Sequence, residues 1–334
     1  MTVRALAVTM GEPAGIGGDI TLKAWRRRAE GLDPFFVIDD PERLAALARR
    51  IGVAVPVAAI ADPAEAPAAF AEALPVLPEP LAAPVEPGRL DPANAPAVIK
   101  AIDRAVALVG NGQAAAMVTN PIHKKCLLDV GFRHRGHTDY LAERARAPRP
   151  PVMMLSCPDL RVVPVTVHLA LAEAVAALDT DHIVYCAEVT ATALTRDFGI
   201  AEPRMAVAAL NPHGGENGVM GREEIEIIAP AVRYLKSRGI GATGPLPADT
   251  LFHERARKLY DVTLCMYHDQ ALIPIKTIDF DRGVNVTLGL PFVRTSPDHG
   301  TALEIAGTGA AREDSMMAAL RLAGDMARRR GLNG

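Results

Sequence analysis

Three histidines follow apolar, β-forming runs: Val165-Thr-Val-His168, Leu210-Asn-Pro-His213 and Met266-Tyr-His268. Neutral imidazoles suit Zn²⁺, Co²⁺ or Ni²⁺. Three protein ligands leave coordination positions open for a substrate oxygen, which marks a catalytic rather than a structural ion. The three lie far apart in sequence and match no short metal motif, so only the fold can bring them together. Two carboxylates accompany them. Asp269 adjoins His268, and Asp249 lies in Pro245-Leu-Pro-Ala-Asp249-Thr. Each reads either as a carboxylate that orients a ligand imidazole or as a turn or cap residue.

A second set consists of cations and neutral donors: His137 and Thr138 in Gly136-His-Thr-Asp-Tyr, then Lys276, Asn285 and Arg294 in a loop-rich stretch. Arginine grips a phosphate dianion bidentately and lysine meets it as a point charge. No dinucleotide fingerprint is present. Gly15-Ile-Gly17-Gly18 runs on to Ile20, and Gly307-Thr-Gly309 to Arg312, where the last glycine of Gly-x-Gly-x-x-Gly belongs. A nicotinamide cofactor must therefore be held by other means. The candidate is the loop Asp298-His299-Gly300-Thr301-Ala302, whose small residues permit close backbone approach. Gly17-Gly18 ahead of a helix could also turn amide N–H groups toward an anion.

These residues need strands and helices to position them. Candidate strands are Val3–Thr9, Phe35–Ile38, Ala114–Thr119, Val152–Leu155, Arg161–Val167, Met205–Leu210 and Val262–Tyr267. Several are apolar on both faces, as buried parallel strands are. Between them, Pro92–Val109 follows the N-cap residue Asp91, and Glu223–Arg238 sets Ile225, Ile228, Val232 and Leu235 on one stripe, with Pro230 predicted to kink it. Residues 54–98, rich in alanine and proline, read as surface connections around a strand or two. The alternation predicts an α/β protein. The C-termini of parallel strands share one edge, where ligands bind. Five polar signatures follow predicted strands, after Thr9, Thr119, Val167, Leu210 and Met266, and are expected to converge on one cleft.

The 334 residues, 49% apolar, suffice for two cores, and a net charge of −3 gives no electrostatic footprint for nucleic acid. Cys126, Cys157, Cys186 and Cys265 form no Cys-x-x-Cys pair, which fits a reducing compartment and predicts a cytoplasmic protein. The N-terminus reads as a strand, not a signal peptide, and no apolar run of about 18 residues predicts a membrane span.

Several segments together resemble the 4-hydroxythreonine-4-phosphate dehydrogenase family. They are Met10-Gly-Glu-Pro-Ala-Gly-Ile-Gly, Thr119-Asn-Pro-Ile-His-Lys, Gly136-His-Thr-Asp, Leu210-Asn-Pro-His-Gly-Gly-Glu, Gly244-Pro-Leu-Pro-Ala-Asp-Thr, Tyr267-His-Asp-Gln and the long block from Arg282 through Arg294 to Ala302. The resemblance implies an isocitrate/isopropylmalate-dehydrogenase-like fold of two α/β/α domains with an interdomain cleft, residues 1–135 plus 300–334 forming one and 136–299 the other. It implies a homodimer whose active sites are shared between subunits, with His168, His213 and His268 holding one Zn, Mg or Co ion per site. His137, Thr138, Lys276, Asn285 and Arg294 are implied substrate contacts, Asp249 and Asp269 supporting carboxylates, and His299, Gly300, Thr301 and Ala302 the loop for NAD or NADP. The implied reaction oxidises C3 of 4-phosphooxy-L-threonine and releases CO₂ to give 3-amino-2-oxopropyl phosphate, in vitamin B6 synthesis. The general base is left unassigned. Two alternatives are a dehydrogenase of D-erythronate or D-threonate 4-phosphate and, more distantly, a phosphate-handling acyltransferase on a related fold. Neither a nucleic-acid nor a membrane partner is expected.

Overall fold

The computed structural model describes residues 4–134 and 136–332. Among them the strands are β1 (Leu6–Thr9), β2 (Phe35–Asp39), β3 (Val57–Ala59), β4 (Leu74–Pro78), β5 (Met117–Thr119), β6 (Val152–Cys157), β7 (Leu160–Pro164), β8 (Arg204–Ala208), β9 (Gly241–Leu246), β10 (Val262–Cys265), β11 (Val284–Leu288) and β12 (Arg294–Pro297). The chain divides into two compact units, Met1–Pro151 with Leu290–Gly334, and Val152–Gly289.

In the first unit the strands lie in the order β3-β4-β2-β1-β5-β12 and pair in parallel throughout. β1 and β2 are buried along their whole length, which accounts for their unbroken apolar runs. The helix Ala95–Gly110 buries Val98, Ala101, Ile102 and Ala105 in one cluster with Phe36, Ile38 and Met117. The helix Asp314–Arg329 returns the chain's end to this unit, against β12 and the helix Gly17–Arg26.

In the second unit the order is β11-β6-β7-β10-β8-β9. β7, β10, β8 and β9 are mutually parallel, while β6 runs antiparallel to both β7 and β11. The C-terminal ends of β7, β10 and β8 therefore share one edge. The segments carrying His168, His268 and His213 emerge from those ends.

Several sequence expectations shift. Residues 54–98 do hold a strand or two as expected: β3 and β4, both members of the sheet. β9 and β12 lie in segments with little β-forming character, Gly-Ala-Thr-Gly-Pro-Leu and Arg-Thr-Ser-Pro. Their neighbours supply the hydrogen bonds that propensity does not. Glu223–Arg238 is not one kinked α-helix. A π-turn spans Glu224–Ile228 and an α-helix Ala229–Ser237, and Pro230 sits in that helix's first turn, where its missing N–H costs nothing. The unit boundaries fall after Pro151 and Gly289, not after 135 and 299. Two contacts explain this. The helix His137–Arg144 is tied to the first unit by Tyr140, whose hydroxyl donates to Asp103 Oδ1 at 2.5 Å, and β12 pairs with β5. All four cysteines are free and buried, and among the described residues no helix is long and apolar enough to cross a membrane.

Candidate metal and anion sites

His268 is the first residue of the helix His268–Ile278, directly after β10, and His168 follows β7 by a short loop. Their ring centroids stand 6.0 Å apart at 44°. Two imidazoles on one ion, each about 2.1 Å from it, hold their centroids about 5 Å apart, so the observed separation is somewhat wider than that of a ligand pair. Asp269 Oδ1 lies 2.7 Å from His268 Nδ1. With the proton on Nδ1, Nε2 is the nitrogen that could meet a ligand, an arrangement in which a carboxylate orients an imidazole.

His213 is held differently. It begins a run of left-handed backbone, with φ of 53°, 66°, 75°, 41° and 55° at His213, Gly214, Gly215, Glu216 and Asn217. Left-handed backbone at a residue with a Cβ costs about 1–3 kcal/mol each, so surrounding contacts must impose it. His213 is exposed, and among the described residues no three His, Cys, Asp or Glu side chains are gathered to hold one ion. The fold thus brings His168 and His268 together with Asp269 and delivers His213 to the same sheet edge on a separate loop. Asp249 is exposed in the turn Ala248–Thr250, which packs against that loop.

The first unit builds a different kind of site. Arg294, at the start of β12, is only 3% exposed, and its Nε and Nη2 donate to Thr119 Oγ1 at 3.2 and 2.6 Å. Burial pulls its pKa down to about 10. His137 opens the helix His137–Arg144 with its Nε2 buried and without a hydrogen-bond partner. Burial, and after it the charge of Arg294, holds His137 well below its ordinary pKa, so the ring is neutral. A guanidinium and an imidazole taken out of water in this way suit an anion that would restore their lost solvation. Thr138 follows His137, half-buried. Thr119 was not singled out from sequence, although its Thr-Asn-Pro motif was. A threonine at a strand end gives no sign that it buttresses an arginine far along the chain.

Lys276 and Asn285 belong to the second unit. Lys276 lies on the helix that starts with His268, its Nζ 5.7 Å from the Phe280 ring centroid, and Asn285 is half-buried on β11 opposite Leu155. The loop His299–Ala302 is bound to the turn after β1. Ile16 N donates to Thr301 O at 3.0 Å, and a Cβ on Gly15 would stand 2.9 Å from that oxygen. Gly15 therefore serves this close approach of two loops. Gly307 N donates to Asp19 Oδ1 at 3.0 Å, while the buried Asp19 Oδ2 has no partner and burial raises the pKa of that carboxyl. This unpaired acceptor beside the stitched loops is compatible with a cofactor held there without a dinucleotide fingerprint.

Parallel sheets whose edges present such side chains are the framework of α/β enzymes that act on small ligands. The chain belongs to the family described as "Pyridoxal phosphate biosynthetic protein PdxA", which it matches over residues 32–323. It is 53% identical to the 4-hydroxythreonine-4-phosphate dehydrogenase of Caulobacter vibrioides, over 99% of this chain and all of that one. The enzyme of that name from Bradyrhizobium diazoefficiens is also 53% identical, over 97% of each chain. The crystal structure of 4-hydroxythreonine-4-phosphate dehydrogenase from Klebsiella pneumoniae is 38% identical and superposes with a TM-score of 0.88, covering 97% of this chain and 99% of that one.

Proposed function

We propose that this protein is an NAD(P)-dependent 4-hydroxythreonine-4-phosphate dehydrogenase of pyridoxal phosphate biosynthesis. It oxidises C3 of 4-phosphooxy-L-threonine, and the resulting β-keto acid loses CO₂ to give 3-amino-2-oxopropyl phosphate. The observation that carries this reading is full-length similarity to relatives named for that activity.

The residues support it step by step. Arg294, charged at any pH well below 10, and neutral His137 provide donors for the phosphate, with Thr138, Lys276 and Asn285 as further contacts. Anchoring the substrate far from the reacting carbon directs binding energy to its placement. His168, His213 and His268 would hold a divalent ion, Zn, Mg or Co, which when bound would acidify the C3 hydroxyl and stabilise negative charge on that oxygen during decarboxylation. Asp269 fixes His268 for that role, and Asp249 lies on the turn that buttresses the His213 loop. His299, Gly300, Thr301 and Ala302 would hold the NAD or NADP whose nicotinamide accepts the hydride.

The working form is a homodimer. Leu169, Leu171, Val219 and Met220 are exposed apolar side chains close in sequence to His168 and His213, and a second copy would cover them while completing a shared site. Four buried free cysteines fit the cytoplasm.

Turnover tests the reading. NAD(P)H should form with 4-phosphooxy-L-threonine far faster than with D-erythronate or D-threonate 4-phosphate, and a chelator should abolish it. A faster rate on either sugar-acid phosphate would overturn the substrate assignment.

A further inference from the structure

Something must impose the left-handed run that carries His213, and a buried carboxylate lies where it could do so. Glu224, 3% exposed, opens the π-turn Glu224–Ile228. Its Oε1 accepts from Leu210 N at 2.8 Å and Asn211 N at 2.7 Å, and its Oε2 from Asn211 Nδ2 at 3.0 Å. Asn211 Nδ2 also donates to Glu223 Oε2 at 2.6 Å. These donors sit where the chain leaves β8 and enters the His213 loop. The loop then wraps the same carboxyl group: a Cβ on Gly215 would stand 2.5 Å from Glu224 Oε2, and Gly215, at φ +75°, has none. The π-turn is itself tied down, since Thr180 Oγ1 donates to Ile227 O at 3.0 Å.

We infer that Glu224 is the positioning residue for His213: its carboxyl group fixes the exit from β8 and the left-handed loop, so that the imidazole is set for a divalent ion before the ion arrives. This rests on the metal reading proposed above. Every described partner of the two carboxyl oxygens is an N–H donor, so an amide at position 224 would turn its own N–H₂ toward one of them and leave a buried donor unmet. A shift in the loop moves His213 without touching His168 or His268.

The test is titration of the full-length protein, stripped of metal, with Zn²⁺ and with Co²⁺, following heat and the Co²⁺ absorption spectrum. The proteins compared are wild type, Glu224→Gln, Asn211→Ala and His213→Ala, with circular dichroism reporting the fold. Outer partners of ligand residues are worth roughly 10–100-fold in metal affinity. Glu224→Gln should weaken binding by that factor and alter the Co²⁺ spectrum while the protein remains folded. Asn211→Ala, which removes a single donor, should act in the same direction by less, and it carries the test if Glu224→Gln fails to fold. A purely structural role would lower thermal stability and leave the affinity of the folded protein unchanged. If His213→Ala loses the ion while Glu224→Gln, or Asn211→Ala in its place, binds as wild type does, the inference fails and the metal reading stands. If wild type binds no ion, or His213→Ala binds as tightly as wild type, both fall.

Discussion

The two candidate sites solve opposite problems. The arginine corner of the first unit is buried and already assembled: Arg294 rests on Thr119, and His137 has lost its charge. The histidine edge of the second unit is exposed and unfinished, with His168 and His268 facing each other and His213 on a strained loop of its own. A phosphate anchor gains from rigidity and dryness, because charge-assisted hydrogen bonds strengthen as water is excluded. A metal site can stay open to water, provided its ligand loops are held in place, as Glu224 would hold the loop of His213. On the proposed reading, burial marks the phosphate anchor and strand-edge placement the metal centre.

The largest expected effect that sharpens this contrast is on the buried side. Arg294→Met should raise KM for the phosphorylated substrate by about 100-fold or more, because removing one partner of a buried charged contact costs roughly 2–5 kcal/mol. Metal affinity should be unchanged. Arg294→Lys should restore only part of the loss, since lysine cannot reproduce the two-nitrogen contact with Thr119. Steady-state kinetics beside metal titration checks this, and an equal loss of metal affinity would erase the distinction between the sites.

A smaller effect concerns pH. The folded pKa of His137 lies below its unfolded value, so as pH falls through about 6.5 the unfolded chain takes up a proton that the folded ring refuses. Stability from this residue is therefore present above about pH 6.5 and declines below it, until the folded pKa is reached. Denaturant titrations at about pH 7.5 and 5.5 should show a loss that His137→Gln reduces. The imidazole NMR titration should move upward when inorganic phosphate binds. A free-protein midpoint near 6.5 would mean that the corner is wetter than described.

Much of this was legible in the sequence, for identifiable reasons. β1 and β2 announce themselves because buried parallel strands are apolar on both faces. β12 was missed because its polar residues Arg294, Thr295 and Ser296 are buried by neighbouring elements rather than by their own character. Asp269 could be proposed because it adjoins His268. Thr119 and Glu224 could not. One reaches Arg294 across 175 positions of sequence, and the other acts through backbone N–H groups that no side-chain pattern records. The reversed strand β6 was equally silent, since strand direction leaves no mark on composition.

The central claim, that three strand-end imidazoles share one ion, is tested most directly by X-ray absorption on the metal-loaded protein. The account predicts three histidine nitrogens at about 2.0–2.1 Å from bound Zn²⁺, falling to two in His213→Ala. Sulfur in the first coordination sphere, or a wild-type spectrum unchanged by His213→Ala, would contradict it.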